Sequence, residues 1–178
     1  MKKRQLLRLA GLVMAITAIT GCMTMPIKEY SPLVKTNEIF IGEVKVFKNM
    51  EVAFTGEIKN IGVAADNNPY YQMVAREYIA NLKTELEKSG FTPVEGITPN
   101  YQGLVIKTKI GDYPAPLGGW LGIMAMGAVV AQVEVYWKSE LALSFGEAVN
   151  TTLGYKAESQ IKRHIIPRIV KKLREKFL

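Results

Sequence analysis

The first 22 residues of this chain have a charge pattern that sets them apart from any globular fold. Basic residues are confined to the first eight positions, and an uncharged run follows from Leu9 to Cys22. This is the pattern of a secretory signal peptide, which has a basic start and a short apolar centre. A helix that crosses a bilayer needs about 20 apolar residues, so the run is short for a membrane span. We therefore expect the globular fold to be built from the residues that follow.

The end of this segment, ITGC at residues 19–22, resembles the lipobox of bacterial lipoproteins. The resemblance implies cleavage between Gly21 and Cys22, acyl chains on Cys22, and attachment to a membrane through that lipid. The alternative is an ordinary signal peptide, or an N-terminal anchor, that happens to contain a cysteine. The lipobox is favoured because Cys22 is the only cysteine and follows a small residue at the end of the apolar run. In enterobacterial lipoproteins an Asp directly after the lipidated cysteine resembles an inner-membrane retention signal. This chain has Met23 at that position, which implies an outer-membrane protein facing the periplasm.

Signal removal would also change the charge balance. The chain has 23 Lys and Arg against 16 Asp and Glu, a formal net charge of +7. Four of the basic residues and none of the acidic ones lie before Cys22, so the charge of the mature chain falls by four to +3. Most of the basic excess therefore belongs to sorting. Together with export, this argues against a nucleic-acid partner.

The residues that carry most enzyme chemistry are scarce. One cysteine excludes an internal disulfide, and with His164 as the single histidine it leaves no Cys/His metal cage. No phosphate-binding loop, dinucleotide motif or metal-ligand cluster is recognisable. Asp112 is the acid whose position stands out for carboxylate chemistry, although a solvated Asp at a strand end is the simpler interpretation. We expect a non-enzymatic protein with no metal, no small-molecule substrate and no added group except the lipid on Cys22.

Two segments have helical periodicity. Residues 69–89 follow Asn68, a favoured helix cap, and end before Gly90. Residues 156–178 form the second predicted helix, in which Pro167 predicts a kink or a restart. Apolar residues recur every three or four positions in both helices: Tyr71, Val74, Tyr78, Leu82 and Leu86 in the first, and Ala157, Ile161, Ile165, Ile169, Leu173 and Phe177 in the second. Each helix is therefore expected to lay an apolar stripe on a sheet.

The second helix also carries a basic face, formed by Lys162, Arg163, Arg168, Lys171, Lys172, Arg174 and Lys176. This face has two interpretations. It binds anionic lipid headgroups or nucleic acid, or it is the solvated side of a packed helix whose basic end complements the helix dipole. The clear use of the apolar stripe in a core favours the second. On that interpretation Lys171 and Lys172 are equally dispensable for stability, whereas Ile161 and Ile169 are not.

Period-two alternation predicts the strands. The predicted strands are a first one near 51–60, weaker β-rich runs at 39–47, two more over 101–112 and 132–145, and a returning strand at 148–155 after a turn at residues 146–147. Residues 22–37 contain two prolines and no period, so they are expected to be a tether. The prediction is an α+β fold, an α/β sandwich. A mixed or antiparallel sheet of about four or five strands is packed by two helices, within a single domain over 38–178.

Residues 113–133 contain no charged side chain, and three interpretations stay open. Gly and Pro in the first half favour a loop followed by a buried strand. The contiguous apolar length also suits a surface that enters a membrane or a partner's groove. A single transmembrane helix is the third, and it would split the domain. If the segment contacts a membrane or a partner, the candidate residues are Trp120, Leu121, Ile123, Met124 and Met126.

The order of these elements carries a second resemblance. A lipobox and tether, a helix ending in LEKSGF, a Gly-rich apolar link, a strand hairpin and a final helix resemble small bacterial outer-membrane lipoproteins with a TolB-N-terminal-like or curli-secretion-lipoprotein-like α/β domain. The resemblance covers most of residues 38–178. It implies an accessory or assembly factor of a secretion, export or envelope-biogenesis machine, whose partner is another envelope protein or a second copy. The alternative it implies is a ring-forming export component whose segment 113–133 contacts the membrane or neighbouring subunits.

Overall fold

The computed structural model has the predicted α+β architecture, a mixed sheet with helices packed on one face. It describes residues 22–24, 26–48, 51–52, 58–60, 63–64, 67–98, 100–115, 126–151 and 157–178. The signal peptide expected over 1–21 lies outside the described residues, and so does the centre of the uncharged segment.

The main sheet has six strands along its path rather than the predicted four or five, counted over the described residues. The strands are β1 (Cys22–Thr24), β2 (Lys28–Glu29), β3 (Glu38–Lys48), β4 (Glu51–Val52), β5 (Ile58–Asn60), β6 (Val63–Ala64), β7 (Thr92–Val94), β8 (Leu104–Ala115), β9 (Met126–Trp137) and β10 (Glu140–Thr151). The path is β1-β10-β9-β8-β3-β6, with β2 beside β10 and β7 beside β3, while β4 and β5 form a separate pair. β3 is parallel to β7 and β8, and the other pairs are antiparallel, so the sheet is mixed.

The first helix, α1 (Pro69–Lys88), confirms the prediction from local sequence. The Asn68 side chain accepts a hydrogen bond from the Tyr70 N–H at 2.9 Å, which satisfies one of the free donors of the first turn. At the other end Gly90 adopts a φ of +96°, and the Phe91 N–H donates to the Leu86 carbonyl at 3.1 Å. The buried side chains of α1 are the predicted stripe residues Val74, Tyr78, Leu82 and Leu86.

The C-terminal helix continues without a break to Pro167 and beyond, and it widens into a π-helical turn just before this residue, where a kink or a restart was predicted. It consists of α2 (Ala157–Gln160), a π-helical turn (Ile161–Ile165) and α3 (Ile166–Phe177). The Ile166 N–H donates to the Ile161 carbonyl, one residue further back than in an α-helix. This wide turn accommodates Pro167, which has no N–H and whose ring crowds the carbonyl four residues earlier. The apolar stripe is buried from the π-helical turn to the end of α3 (Ile161, Ile165, Ile169, Leu173, Phe177).

Both helices cover the same face of the sheet, and one cross-strand row shows how the core is closed. Val44, Thr108, Val133 and Phe145 are register neighbours on four successive strands. The buried Thr108 hydroxyl lies 3.1 Å from the hydroxyl of Tyr78, which reaches down from α1. Burial raises the pKa of Tyr78 far above its ordinary value, so the phenol stays neutral and the pair is a hydrogen bond between two hydroxyls.

The first long strand lies earlier than predicted. β3 occupies the run expected to be the weaker one, and the described residues of 51–60 form the short strands β4 and β5. The reason is a bulge after Ile41, where two residues of β3 face one residue of β8 before Val44 resumes the register. The bulge moves the apolar positions from odd to even numbers, which breaks strict alternation. Gly42 sits in it, and a Cβ there would lie 3.2 Å from the Ile106 carbonyl oxygen.

Residues 132–145, predicted as one strand, are the end of β9 and the start of β10. The turn between them lies at Lys138 and Ser139, whose φ angles are 49° and 67°. Residues 146–147, predicted as a turn, lie inside β10. A bulge at Ala142 explains why the sequence hides the turn. It adds one residue, so the apolar positions keep odd numbers on both sides of the hairpin.

The segment expected to be a tether pairs with the sheet. β1 and β2 both lie along β10, and the Tyr30 N–H donates to the carbonyl of the bulged Ala142 at 2.9 Å. Ile27 and Leu33 pack against the core, which adds apolar burial to the backbone pairing. These contacts satisfy hydrogen-bonding groups that β10 would otherwise expose at the sheet edge.

Candidate functional site

Cys22 begins the edge strand of the main sheet. Its Cα lies opposite Val149 of β10, Val149 lies opposite Val129 of β9, and Val129 lies opposite Asp112 of β8. Cys22 therefore shares one row with the residue after which the uncharged segment starts. Because β1 is antiparallel to β10, the first residue of β1 and the last residues of β10 lie at the same end of the sheet. We call this end of the sheet the Cys22 end.

The β8–β9 pair continues beyond this row toward the same end. Its last backbone pair joins Ala115 to Met126, the first residue of β9. The other candidate contact residues, Trp120, Leu121, Ile123 and Met124, lie outside the described residues, as does Gly21. Both ends of the segment 113–133 are strands, which contradicts a single transmembrane helix. Val129 to Ala131 and Val133 are buried, as the interpretation of a strand in the core requires.

Three consecutive exposed residues, Lys162, Arg163 and His164, form the outer side of the π-helical turn. We call them the basic turn. Ile161 and Ile165, which flank them, are buried. Within the part of the chain that the structure describes, no ion pair involves Lys162, Arg163 or His164. The basic turn thus holds two solvated cations and an exposed imidazole on a helix whose other side is core.

Glu147 is a buried charge that the sequence analysis missed, because residues 146–147 were assigned to a turn. It lies on the core side of β10, and its side chain is 1% exposed. The Lys172 Nζ lies 2.6 Å from its Oε1, and the Arg168 guanidinium lies 3.8 Å from its Oε2. The Lys172 Nζ also lies 4.8 Å from the centre of the Phe145 ring. The signal in the sequence was the alternation in β10, whose odd-numbered residues Leu143, Phe145 and Val149 are apolar and buried. Glu147 has the same parity and therefore lies on the core side.

The face of the sheet away from the helices carries a polar network. The Lys109 Nζ donates to Glu134 Oε1 at 3.0 Å, and the Tyr136 hydroxyl donates to Glu134 Oε2 at 2.9 Å. The Lys107 Nζ lies 4.7 Å from the centre of the Tyr136 ring. Partial burial raises the pKa of Tyr136, and the bond to the Glu134 carboxylate raises it further, so the phenol remains a donor. The network is suited to orienting side chains on this face.

Two other kinds of site are absent from the described residues. No group of three or more His, Cys, Asp and Glu side chains there is arranged to hold a metal ion. No helix there is both long and apolar enough to cross a membrane. Asp112, the acid singled out from the sequence, lies within β8.

No protein-family model matches this chain, and no curated protein matches it. Similar solved structures include the PelC dodecamer from Paraburkholderia phytofirmans, with a TM-score of 0.49 and 10% identity, which covers 89% of this chain and 99% of that chain. A minor lipoprotein from Acinetobacter baumannii is similar with a TM-score of 0.40 and 11% identity, covering 81% of this chain and 91% of that chain. At these values the likeness carries no functional assignment.

Proposed function

We propose that this chain is a bacterial lipoprotein, held on the periplasmic side of the outer membrane by acyl chains on Cys22. We further propose that it acts there as a non-enzymatic accessory or assembly factor of the envelope. The N-terminal segment carries the proposal, because its basic start and short uncharged run end at the only cysteine, directly after Gly21. Anchoring through more than one acyl chain is stable, since each buried CH₂ contributes about 0.8 kcal/mol.

The position of Cys22 in the sheet supports a close attachment. Cys22 is the first residue of β1, and β1 pairs with β10, so no linker separates the proposed lipid from the folded sheet. A domain attached in this way stays at the membrane surface and is held by its edge strand. Such a domain is suited to contacting another membrane-bound protein, or a second copy of itself, in the plane of the membrane.

The lipid anchor is tested first, by the mass of the protein and its location in the cell. The intact mass of the protein from bacterial membranes should show a chain that starts at Cys22 and carries acyl groups. A Cys22→Ala variant should keep residues 1–21 or leave the membrane fraction. A non-acylated chain in the membrane fraction would contradict the proposal.

The native mass after gentle extraction from the membrane tests the accessory role. A stoichiometric complex with another envelope protein supports that role, and a lone monomer contradicts it. A large discrete homo-oligomer would favour the ring-forming alternative.

A further inference from the structure

The basic turn has no role in the core, and its geometry is unusual for a helix. In the π-helical turn four residues cover nearly one full turn, so Ile161 and Ile165 both face the sheet. The three residues between them, Lys162 to His164, are exposed together. The result is a basic surface on the side of the helix that faces away from the core.

The direction of the C-terminal helix places this surface at the Cys22 end. The carbonyl of Phe177, at the end of α3, accepts a hydrogen bond from the Thr36 N–H. Thr36 lies just before β3 begins, at the end of the sheet opposite Cys22. Lys172, which lies closer to the N-terminal end of the helix than Phe177, reaches Glu147. The π-helical turn lies closer still to the N-terminal end and contacts β9 and β10. The basic turn therefore lies beyond the Glu147 row, toward Cys22.

We propose that the basic turn contacts anionic lipid headgroups of the membrane that holds the Cys22 lipid, so that the domain docks with its Cys22 end on the bilayer. The proposal rests on the proposed lipid anchor. Charge complementarity supports it, since a Lys or Arg near an anionic membrane surface strengthens binding about fivefold. Ala115 and Met126, the last described backbone pair of β8 and β9 at this end, carry no charge, so they add no repulsion from the headgroups. Docking in this way leaves the opposite end of the sheet, at Gln102 and Trp137, facing the periplasm.

A site-specific fluorescent probe on the acylated full-length protein tests this orientation. Acylation blocks Cys22, so a His164→Cys variant carries one reactive thiol on the basic turn. A Lys88→Cys variant carries one at the end of α1, beside Gly90 at the opposite end of the sheet. Both are reconstituted in vesicles of phosphatidylglycerol and phosphatidylcholine, or of phosphatidylcholine alone, with a quencher attached to the headgroups. We expect at least about twofold stronger quenching at position 164 than at position 88, in the anionic vesicles only.

Charge reversal supplies the matched control. Lys162→Glu/Arg163→Glu, in the His164→Cys background, should abolish the difference between anionic and neutral vesicles. Lys171→Glu/Arg174→Glu makes the same change of charge on exposed residues two to three turns further along the helix and should preserve it. Equal quenching at positions 164 and 88, or equal loss in the two double variants, overturns the proposal. The intact mass of each sample separates the two hypotheses: acylated protein without quenching overturns the docking only, and protein without acyl chains overturns both.

Discussion

Lys171 and Lys172 are adjacent in sequence but differ in what they contact. The Lys172 side chain is 12% exposed and pairs with the buried Glu147 carboxylate, whereas Lys171 is exposed and pairs with Glu175 at 3.9 Å. Lys172→Ala removes the nearer of the two cations beside the buried Glu147 carboxylate and leaves the Arg168 guanidinium at 3.8 Å, so it should lower the free energy of unfolding by about 3 kcal/mol. Lys171→Ala should change it by less than about 0.5 kcal/mol. Urea denaturation followed by circular dichroism measures both, and equal losses would show that the pair does not stabilise the fold.

This difference corrects the expectation from sequence that the two lysines are equivalent. Helical periodicity assigns both to the basic face, and it did place Ile161 and Ile169 in the core. It cannot report that a carboxylate lies beneath Lys172, because that depends on the register of β10 under the helix. The long aliphatic stem of a lysine also lets its ammonium reach inward from the border of an apolar stripe.

At the scale of secondary-structure elements, the helices were predictable and the strand boundaries were not. The signals of α1, its cap at Asn68, its stripe and its stop at Gly90, are all local to the helix. The strands were misjudged where a bulge changes the alternation, in β3 after Ile41 and in β10 at Ala142. A bulge depends on the pairing with the neighbouring strand, so the periodicity of a single segment does not reveal it.

The β9–β10 turn gives a prediction at the same scale. Ser139 adopts a φ of 67°, a left-handed conformation that costs a residue with a side chain about 1 kcal/mol or more. Ser139→Gly should therefore raise the free energy of unfolding by about 1 kcal/mol, and the melting temperature by about 2–4 °C. Ser139→Ala keeps the Cβ and should give no gain. Thermal unfolding of the two variants beside the parent checks this, and a loss on introducing glycine would count against a strained turn.

At the scale of the whole molecule, the candidate site is assembled from distant parts of the chain. Cys22 could be singled out from sequence, because its signal is a short contiguous motif. The sequence also identified the basic face, but not that Lys162, Arg163 and His164 lie toward the same end of the sheet as Cys22. That placement follows from the pairing of β1 with β10 and from the direction of the C-terminal helix. Neither is a local property of the sequence.

The pairing of the N-terminal segment with β10 predicts a second role for residues 22–30, the protection of a sheet edge. A chain that begins at residue 31 loses β1, β2 and the packing of Ile27 against the core. Compared with an unacylated chain that begins at residue 22, it should lose about 2 kcal/mol of unfolding free energy. It should also self-associate as its concentration rises, because β10 then exposes unpaired backbone groups. Ile27→Ala in the longer chain is the matched control: it removes the packing but keeps the edge covered, so it should destabilise the fold without association. Urea denaturation and sedimentation velocity measure the two effects, and a shortened chain that stays monomeric with unchanged stability would show that β1 and β2 contribute nothing to the sheet.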